Sequence, residues 1–274
     1  MTIPIYGNYH GYYSKRPTVN DARLAVLPEA LFHGARVLDI GCNEGWVTCE
    51  IAQSLGPHKV VGVDIDDTLV QAAWRRRRTV WSLQGPSPAT TLASNNVDDG
   101  LQRTSKKRKL EEAPGSAAGA GSRSRNYFPL SCEHEFGSLP IPPTTIRGKH
   151  AFPHNVSFRT ANWIRDEIPE DAEGYDVVVA FSVSKWIHLN EGDEGLRQFF
   201  RKVYSVLKAG GAFVLEPQPW ESYAKARRMS EAKNAKSLVI RPEHFSDILR
   251  DIGFEPARHF GSIGEGGERL STPS

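Results

Sequence analysis

The chain has 274 residues, 34 Lys and Arg against 32 Asp and Glu, and 39% hydrophobic residues. That suits one large domain with a single core, and the net charge of +2 gives no molecule-wide footprint for a polyanion. Apolar runs are too short for a membrane helix, the start MTIPIYGNYHGYY lacks the order of a secretory leader, and three cysteines fit neither a disulfide scaffold nor a zinc site, so an intracellular protein is expected.

Residues 36–41 (RVLDIG) read as a short apolar strand closed by Gly. Residues 45–55 place Val47, Ile51 and Leu55 on one helical face. A second buried strand follows at 59–64 (KVVGVD), then a helix over 67–83 capped by Asp66 or Asp67. From 85 to 150 the composition changes to Gly, Pro and Ser with few branched apolar side chains. About 85–125 is expected to be a disordered insertion, because it buries too little apolar surface to offset its ordering entropy. Its end, NYFPLSCEHEFGSLPIPP, carries more aromatics and is expected to dock on the fold. Lys106–Lys109 (KKRK) within it read as a nuclear import signal. Strands return at 156–161 and 175–181. A helix over 193–208 carries a stripe of Leu196, Phe199, Phe200, Val203, Val206 and Leu207, with Gly210-Gly211 expected to stop it. A strand at 212–216 and a helix over 242–252 complete the series. Strands alternating with helices predict an α/β fold with a doubly wound, mostly parallel sheet. One domain spanning 1–274, interrupted at about 85–150, is expected.

VLDIGCNEG followed by VVGVDID carries the chemistry. Gly41 opens a tight turn after a strand, Gly45 brings the next helix close to the sheet, and Asp64 ends the next strand. That arrangement fits an adenosine-containing cofactor at the carboxyl ends of parallel strands, with Asp64 accepting from both ribose hydroxyls. A dinucleotide fingerprint would place Gly where Asn43 stands. The acid Asp39 before the loop is typical of class I methyltransferases, so S-adenosylmethionine (SAM) is the expected cofactor and the expected fold is Rossmann-like.

YGNYHGYYSKR, VLDIGCNEG, VVGVDID, FSVSKWIHLNEGDEGL and LEPQPWESYAK occur in one order over roughly 6–83 and 152–255. Together they resemble the bicoid-interacting-type RNA methyltransferases. The resemblance implies SAM-dependent methylation of the γ-phosphate at an RNA 5′ end, or of a 5′-monophosphate in close relatives. It implies a cofactor site of Tyr13, Arg23, Gly41, Cys42, Asn43, Asp64, Ile65, Asn162, Trp163 and Phe181, with Cys42 giving only backbone. It also implies a nuclear location, a small non-coding RNA as partner, a La-related RNA-binding protein beside it, and neither membrane nor metal. The chain departs from the family at its end, where GGERLSTPS stands in place of a final strand like RPVYLF, so an altered last strand is expected.

A phosphate oxygen is already anionic at neutral pH, so such a site needs positioning and charge neutralisation rather than a strong base. Lys15, Arg16, Lys185 and His188 are the candidate donors; Tyr9, Tyr12 and Trp186 are candidate RNA contacts, Trp186 by stacking on a terminal base. Arg75–Arg78 spread around most of a helical turn, so only some can face one RNA strand. The competing reading is a ribonucleoprotein assembly factor that keeps the fold and acts as a scaffold. A small-molecule methyltransferase fits the basic, aromatic N-terminal segment and KWIHLN poorly.

Overall fold

The computed structural model describes residues 6–7, 21–83, 128–227, 237–263 and 268–273. The expected insertion over 85–125, with KKRK, lies outside the described residues, as do Tyr9, Tyr12, Tyr13, Lys15 and Arg16.

A short helix α1 (Ala22–Ala25) leads to strand β1 (Arg36–Ile40), helix α2 (Trp46–Ser54), strand β2 (Lys59–Asp64) and helix α3 (Asp67–Leu83). Helices α4 (Leu130–Phe136) and α5 (Thr144–Arg147) precede strands β3 (Val156–Thr160) and β4 (Tyr175–Phe181). Helix α6 (Ser184–Val206), strand β5 (Leu207–Glu216), helices α7 (Glu221–Arg227) and α8 (Phe245–Ile252), and strands β6 (Ala257–Ile263) and β7 (Glu268–Pro273) follow. The sheet order is β3-β2-β1-β4-β5-β7-β6. The first five strands are parallel, while β7 runs antiparallel to both β5 and β6. ERLSTP therefore forms the strand that the sequence reading expected to be altered, and joins β6 to the sheet.

Every residue of β1 is buried, as a central parallel strand covered on both faces requires. Val37, Val60, Val156 and Phe158 pack on one side with Val47, Ile51 and Val70 of α2 and α3. On the other side Leu38, Val61 and Phe213 meet Phe199, Phe200 and Val203 of α6 and Ile248 and Leu249 of α8. Asp66 caps α3, its carboxylate accepting from the Thr68 N–H at 2.8 Å.

Two elements differ from the sequence reading. Helix α6 starts at Ser184, well before 193, and breaks at Gly192 (φ 73°, ψ −172°). It ends at Val206, before Gly210-Gly211, because the backbone turns extended at Leu207 and pairs with Tyr175. The next pair is Val177 with Ala212, so the two glycines lie in the bulge between these pairs. The docking of the segment before β3 is present. The Leu139 N–H donates to Ser82 Oγ at 2.6 Å, Trp81 Nε1 donates to the Pro140 carbonyl at 3.1 Å, and the Arg147 guanidinium lies over the Trp81 ring.

Candidate active site

A cavity of about 480 Å³ opens at the carboxyl ends of β1, β2 and β4. Its walls include Gly41, Asn43, Asp64, Ile65, Asn162, Trp163 and Phe181, which the sequence reading had grouped from distant motifs.

The turn after β1 explains why those residue types stand there. Gly41 has φ +74°, its N–H donates to the Val63 carbonyl at 2.8 Å, and a Cβ there would press on Val183 at 2.9 Å. Asn43 is also left-handed, with φ 51°, a conformation Asn tolerates because its amide bonds locally. Its side-chain oxygen accepts from the Glu44 N–H, and its own N–H donates to Asp64 Oδ2 at 2.9 Å. Asp64 Oδ1 takes the Asp66 N–H at 3.0 Å. The carboxylate is thus fixed by two backbone donors and keeps lone pairs for a diol. Burial raises the Asp64 pKa, and the Asp66 and Asn43 N–H groups oppose the rise.

Asp39 does not line the cavity but sits beneath the loop, accepting from Thr48 Oγ1. Burial pushes its pKa to about 6. The folded protein holds this proton up to about pH 6, whereas the unfolded chain releases it near pH 4. Between those values the folded state binds more protons, so this group's contribution falls as pH rises. Asp39→Asn, which keeps an acceptor for Thr48, is therefore expected to match wild-type stability at pH 4 and exceed it by up to about 3 kcal/mol at pH 7.5. Urea unfolding at the two pH values checks this; an equal difference at both would show that ionisation of Asp39 is not the cause.

At the far wall Ser182 has φ 56°, and its hydroxyl donates to Glu216 Oε2 at 2.8 Å. Gln218 Nε2 donates to the Ser182 carbonyl at 2.7 Å. Lys185 Nζ reaches Ser222 Oγ at 3.2 Å and stands 5.3 Å from the Trp186 ring centroid.

Other sequence candidates fall elsewhere. Arg23 is outside the cavity wall and 3% exposed. Its guanidinium holds Asp21 through Nε and Nη2, and Glu216 through Nη1 at 2.7 Å, while lying over Phe181 at 4.6 Å. It braces the cavity wall from behind. The Cys42 thiol is buried, and burial raises its pKa well above the ordinary thiol value. His188, a candidate phosphate donor, is not on the cavity wall. It is fully buried, with Nε2 on Asp193 at 2.7 Å and Nδ1 on the Tyr223 hydroxyl at 3.3 Å. Asp193 also receives the Val239 and Ile240 N–H groups, so His188 belongs to the join between α6 and the chain before α8. Trp186 lines the cavity, but Gly7 packs against its indole, so close that a Cβ at Gly7 would come within 2.0 Å of Trp186 Cε2. Base stacking on that face would require Tyr6-Gly7 to move. In the basic run, Arg76 covers the Trp46 ring and Arg77 covers the Trp74 ring, while Arg75 and Arg78 are exposed.

Sequence reasoning missed Tyr6, Ser182, Asn190, Gln218, Ser222 and Lys225. LEPQPWESYAK was the available signal for three of them: it follows β5, and α7 turns it back over the cavity.

The residues present fit SAM. Asp64 offers a diol acceptor beside the left-handed loop, and Gln218 Oε1 is buried without a partner among the described residues, an acceptor suited to an ammonium or amide donor. The fold and cavity define a class I, SAM-dependent methyltransferase fold. A general methyltransferase-domain model matches residues 37–98, and a model described as bicoid-interacting protein 3 matches 175–269. A probable RNA methyltransferase of Arabidopsis thaliana is 35% identical over 253 residues, 91% of this chain and 71% of that protein. The chain belongs to the bicoid-interacting protein 3 family of methyltransferases. The human 7SK snRNA methylphosphate capping enzyme is 39% identical over 259 residues, which cover 91% of this chain but only 35% of that enzyme. A rat RNA 5′-monophosphate methyltransferase is 40% identical over 98 residues, 32% of this chain and 33% of that protein.

Proposed function

We propose that the protein methylates the 5′-terminal phosphate of a small non-coding RNA, with SAM as methyl donor, in the nucleus. The observation that carries the reading is the polarity of one cavity. A diol acceptor, Asp64, stands at the β2 end, and an ammonium with a hydroxyl partner, Lys185 with Ser222, stands at the β4 end. The relatives' named activities on snRNA and RNA 5′-monophosphate agree with an anionic phosphate acceptor.

When bound, SAM supplies an electrophilic methyl group on a sulfonium. The chain's work is to hold the acceptor in line and to offset its charge. Asp64 fixes the ribose, while Ile65, Asn162 and Trp163 frame the adenine. Gly41 and Asn43 shape the loop beneath the amino-acid end, and Phe181 forms the wall at the transfer point. Lys185 orients the phosphate. Lys15, Arg16, Tyr9, Tyr12 and Tyr13, outside the described residues, are included as RNA and cofactor contacts from the N-terminal motif. A La-related protein is the proposed partner on the RNA.

The test is transfer of labelled methyl from SAM to short RNAs ending in 5′-triphosphate, 5′-monophosphate or 5′-hydroxyl. Label is expected only on the phosphorylated RNAs. Equal labelling of the hydroxyl RNA would move the acceptor to a base or ribose. Tight RNA binding without transfer would leave the scaffold reading.

A further inference from the structure

Trp163 lines the cavity, but the groups that hold its indole lie outside the cavity wall. The residue is 3% exposed, and a buried indole N–H needs an acceptor. Its Nε1 donates to both carboxylate oxygens of Asp171, at 3.2 and 3.1 Å. Asp171 sits on a short 3-10 helix over Pro169–Glu173, between the adenine turn and β4. The Tyr175 hydroxyl, at the start of β4, donates to Asp171 Oδ1 at 2.9 Å. Burial and the Asp171 charge push the Tyr175 pKa up, so this hydroxyl remains a donor. The carboxylate thus ties the indole to a central strand of the sheet.

Lys202 of α6 supplies a nearby counter-charge. Its ammonium stands 4.6 Å from the Trp163 ring centroid and donates to the Trp163 and Asp166 carbonyls. Burial lowers the Lys202 pKa, and the Asp171 charge opposes the drop. The turn itself closes through the Asn162 N–H on Asp166 Oδ2 at 2.9 Å and the Asp166 N–H on the Asn162 carbonyl at 2.8 Å. These bonds fix the backbone of the turn, and Phe199 packs edge-on to the ring. None of them selects the ring's rotation about its own side-chain bonds. The bond from Nε1 to Asp171 does, and a carboxylate makes it stronger than a neutral acceptor would. The wall is therefore set before a ligand arrives, which spares binding the cost of immobilising it.

We propose that Asp171 is a positioning residue for the cofactor: by holding the Trp163 indole it keeps the adenine wall in its binding orientation, and it adds to SAM affinity through that ring without touching SAM. This rests on the reading that Trp163 frames the adenine.

The test is a double-mutant cycle in the full chain, read by calorimetry with SAM and with adenosine and by initial rates, with circular dichroism to confirm folding. Asp171→Ala is expected to weaken both ligands about tenfold, because they share the adenine end. KM for SAM should rise by the same factor with kcat within about twofold, since adenine is bound alike in the ground and transition states. Asp171→Asn, which keeps an oxygen for the indole N–H, should lose only about threefold. Trp163→Phe keeps an aromatic ring and removes the N–H; in that background neither Asp171 substitution should change affinity by more than about twofold. Should Asp171→Ala fail to fold, the cycle with Asp171→Asn decides. A merely structural Asp171 would lower the melting temperature and leave affinity in the folded protein unchanged, or cost as much in the Trp163→Phe background as in the wild type. Either result overturns the inference. Trp163→Ala separates it from the reading beneath it. Unchanged SAM affinity there removes Trp163 from the adenine site and ends both, whereas a loss there with wild-type affinity in Asp171→Ala keeps the adenine placement and ends the role of Asp171.

Discussion

Asp64→Ala is expected to weaken SAM binding by a hundredfold or more while the protein stays folded. Two charge-assisted hydrogen bonds to a diol are worth roughly 1.5–3 kcal/mol each, and each 1.4 kcal/mol is tenfold in affinity. The substitution also strips acceptors from the Asn43 and Asp66 N–H groups, so the loop loses its fixed shape as well as its ligand contact. Asp64→Asn separates the two effects, since an amide oxygen still accepts one bond but carries no charge. It should retain more affinity than Ala and less than wild type. Because burial raises the Asp64 pKa, wild-type SAM affinity should also decline on acidification before an exposed carboxylate would titrate. Calorimetry on the three proteins, with circular dichroism to confirm folding, decides the matter. Unchanged affinity in folded Asp64→Ala would remove Asp64 from the cofactor site.

The sheet and the cofactor loop were readable because local pattern and tertiary role coincide there. VLDIG and KVVGVD are apolar runs because they are central strands, and Gly41, Asn43 and Gly45 punctuate them because the turn needs positive φ. The α6 boundaries misled because Gly192 breaks the helix without ending it, while the Gly210-Gly211 pair sits in a strand bulge that only β4 pairing reveals. ERLSTP has little strand character of its own; its place comes from pairing with β6 over Ala257–Ile263. Side-chain roles were harder still. KWIHLN was recognised as a unit, but which of its members faces the cavity depends on α7 packing across it. That packing buries His188 against Tyr223 and leaves Lys185 on the open side. LEPQPWESYAK stood out as a motif, but that Lys225 within it lines the cavity shows only once a seven-residue helix has folded back.

Lys185→Met is expected to lower kcat by about a hundred- to a thousandfold, the range seen when one preorganised donor to a developing or transferring charge is removed. SAM affinity should stay within about twofold, since Lys185 stands after β4 and meets Ser222, whereas Asp64 ends β2. The pH profile carries the chemistry. A terminal phosphate loses its second proton near pH 6, so the wild-type rate should rise to about pH 7 and then hold level, because no side chain has to take a proton from the acceptor. The plateau should end only where an ammonium deprotonates, at about pH 10 for an ordinary lysine. An active-site base abstracting a hydroxyl or amine proton would instead give a rate still climbing through pH 8 to 9. His188→Gln provides the contrast. Its ring is buried on Asp193 and Tyr223, so the variant should lower the melting temperature and leave the shape of the pH profile intact in the folded fraction. If His188→Gln instead lowers kcat in the folded fraction by a hundredfold or more while Lys185→Met leaves kcat unchanged, the roles of the two residues are reversed, and α6 must present its other face to the phosphate during turnover.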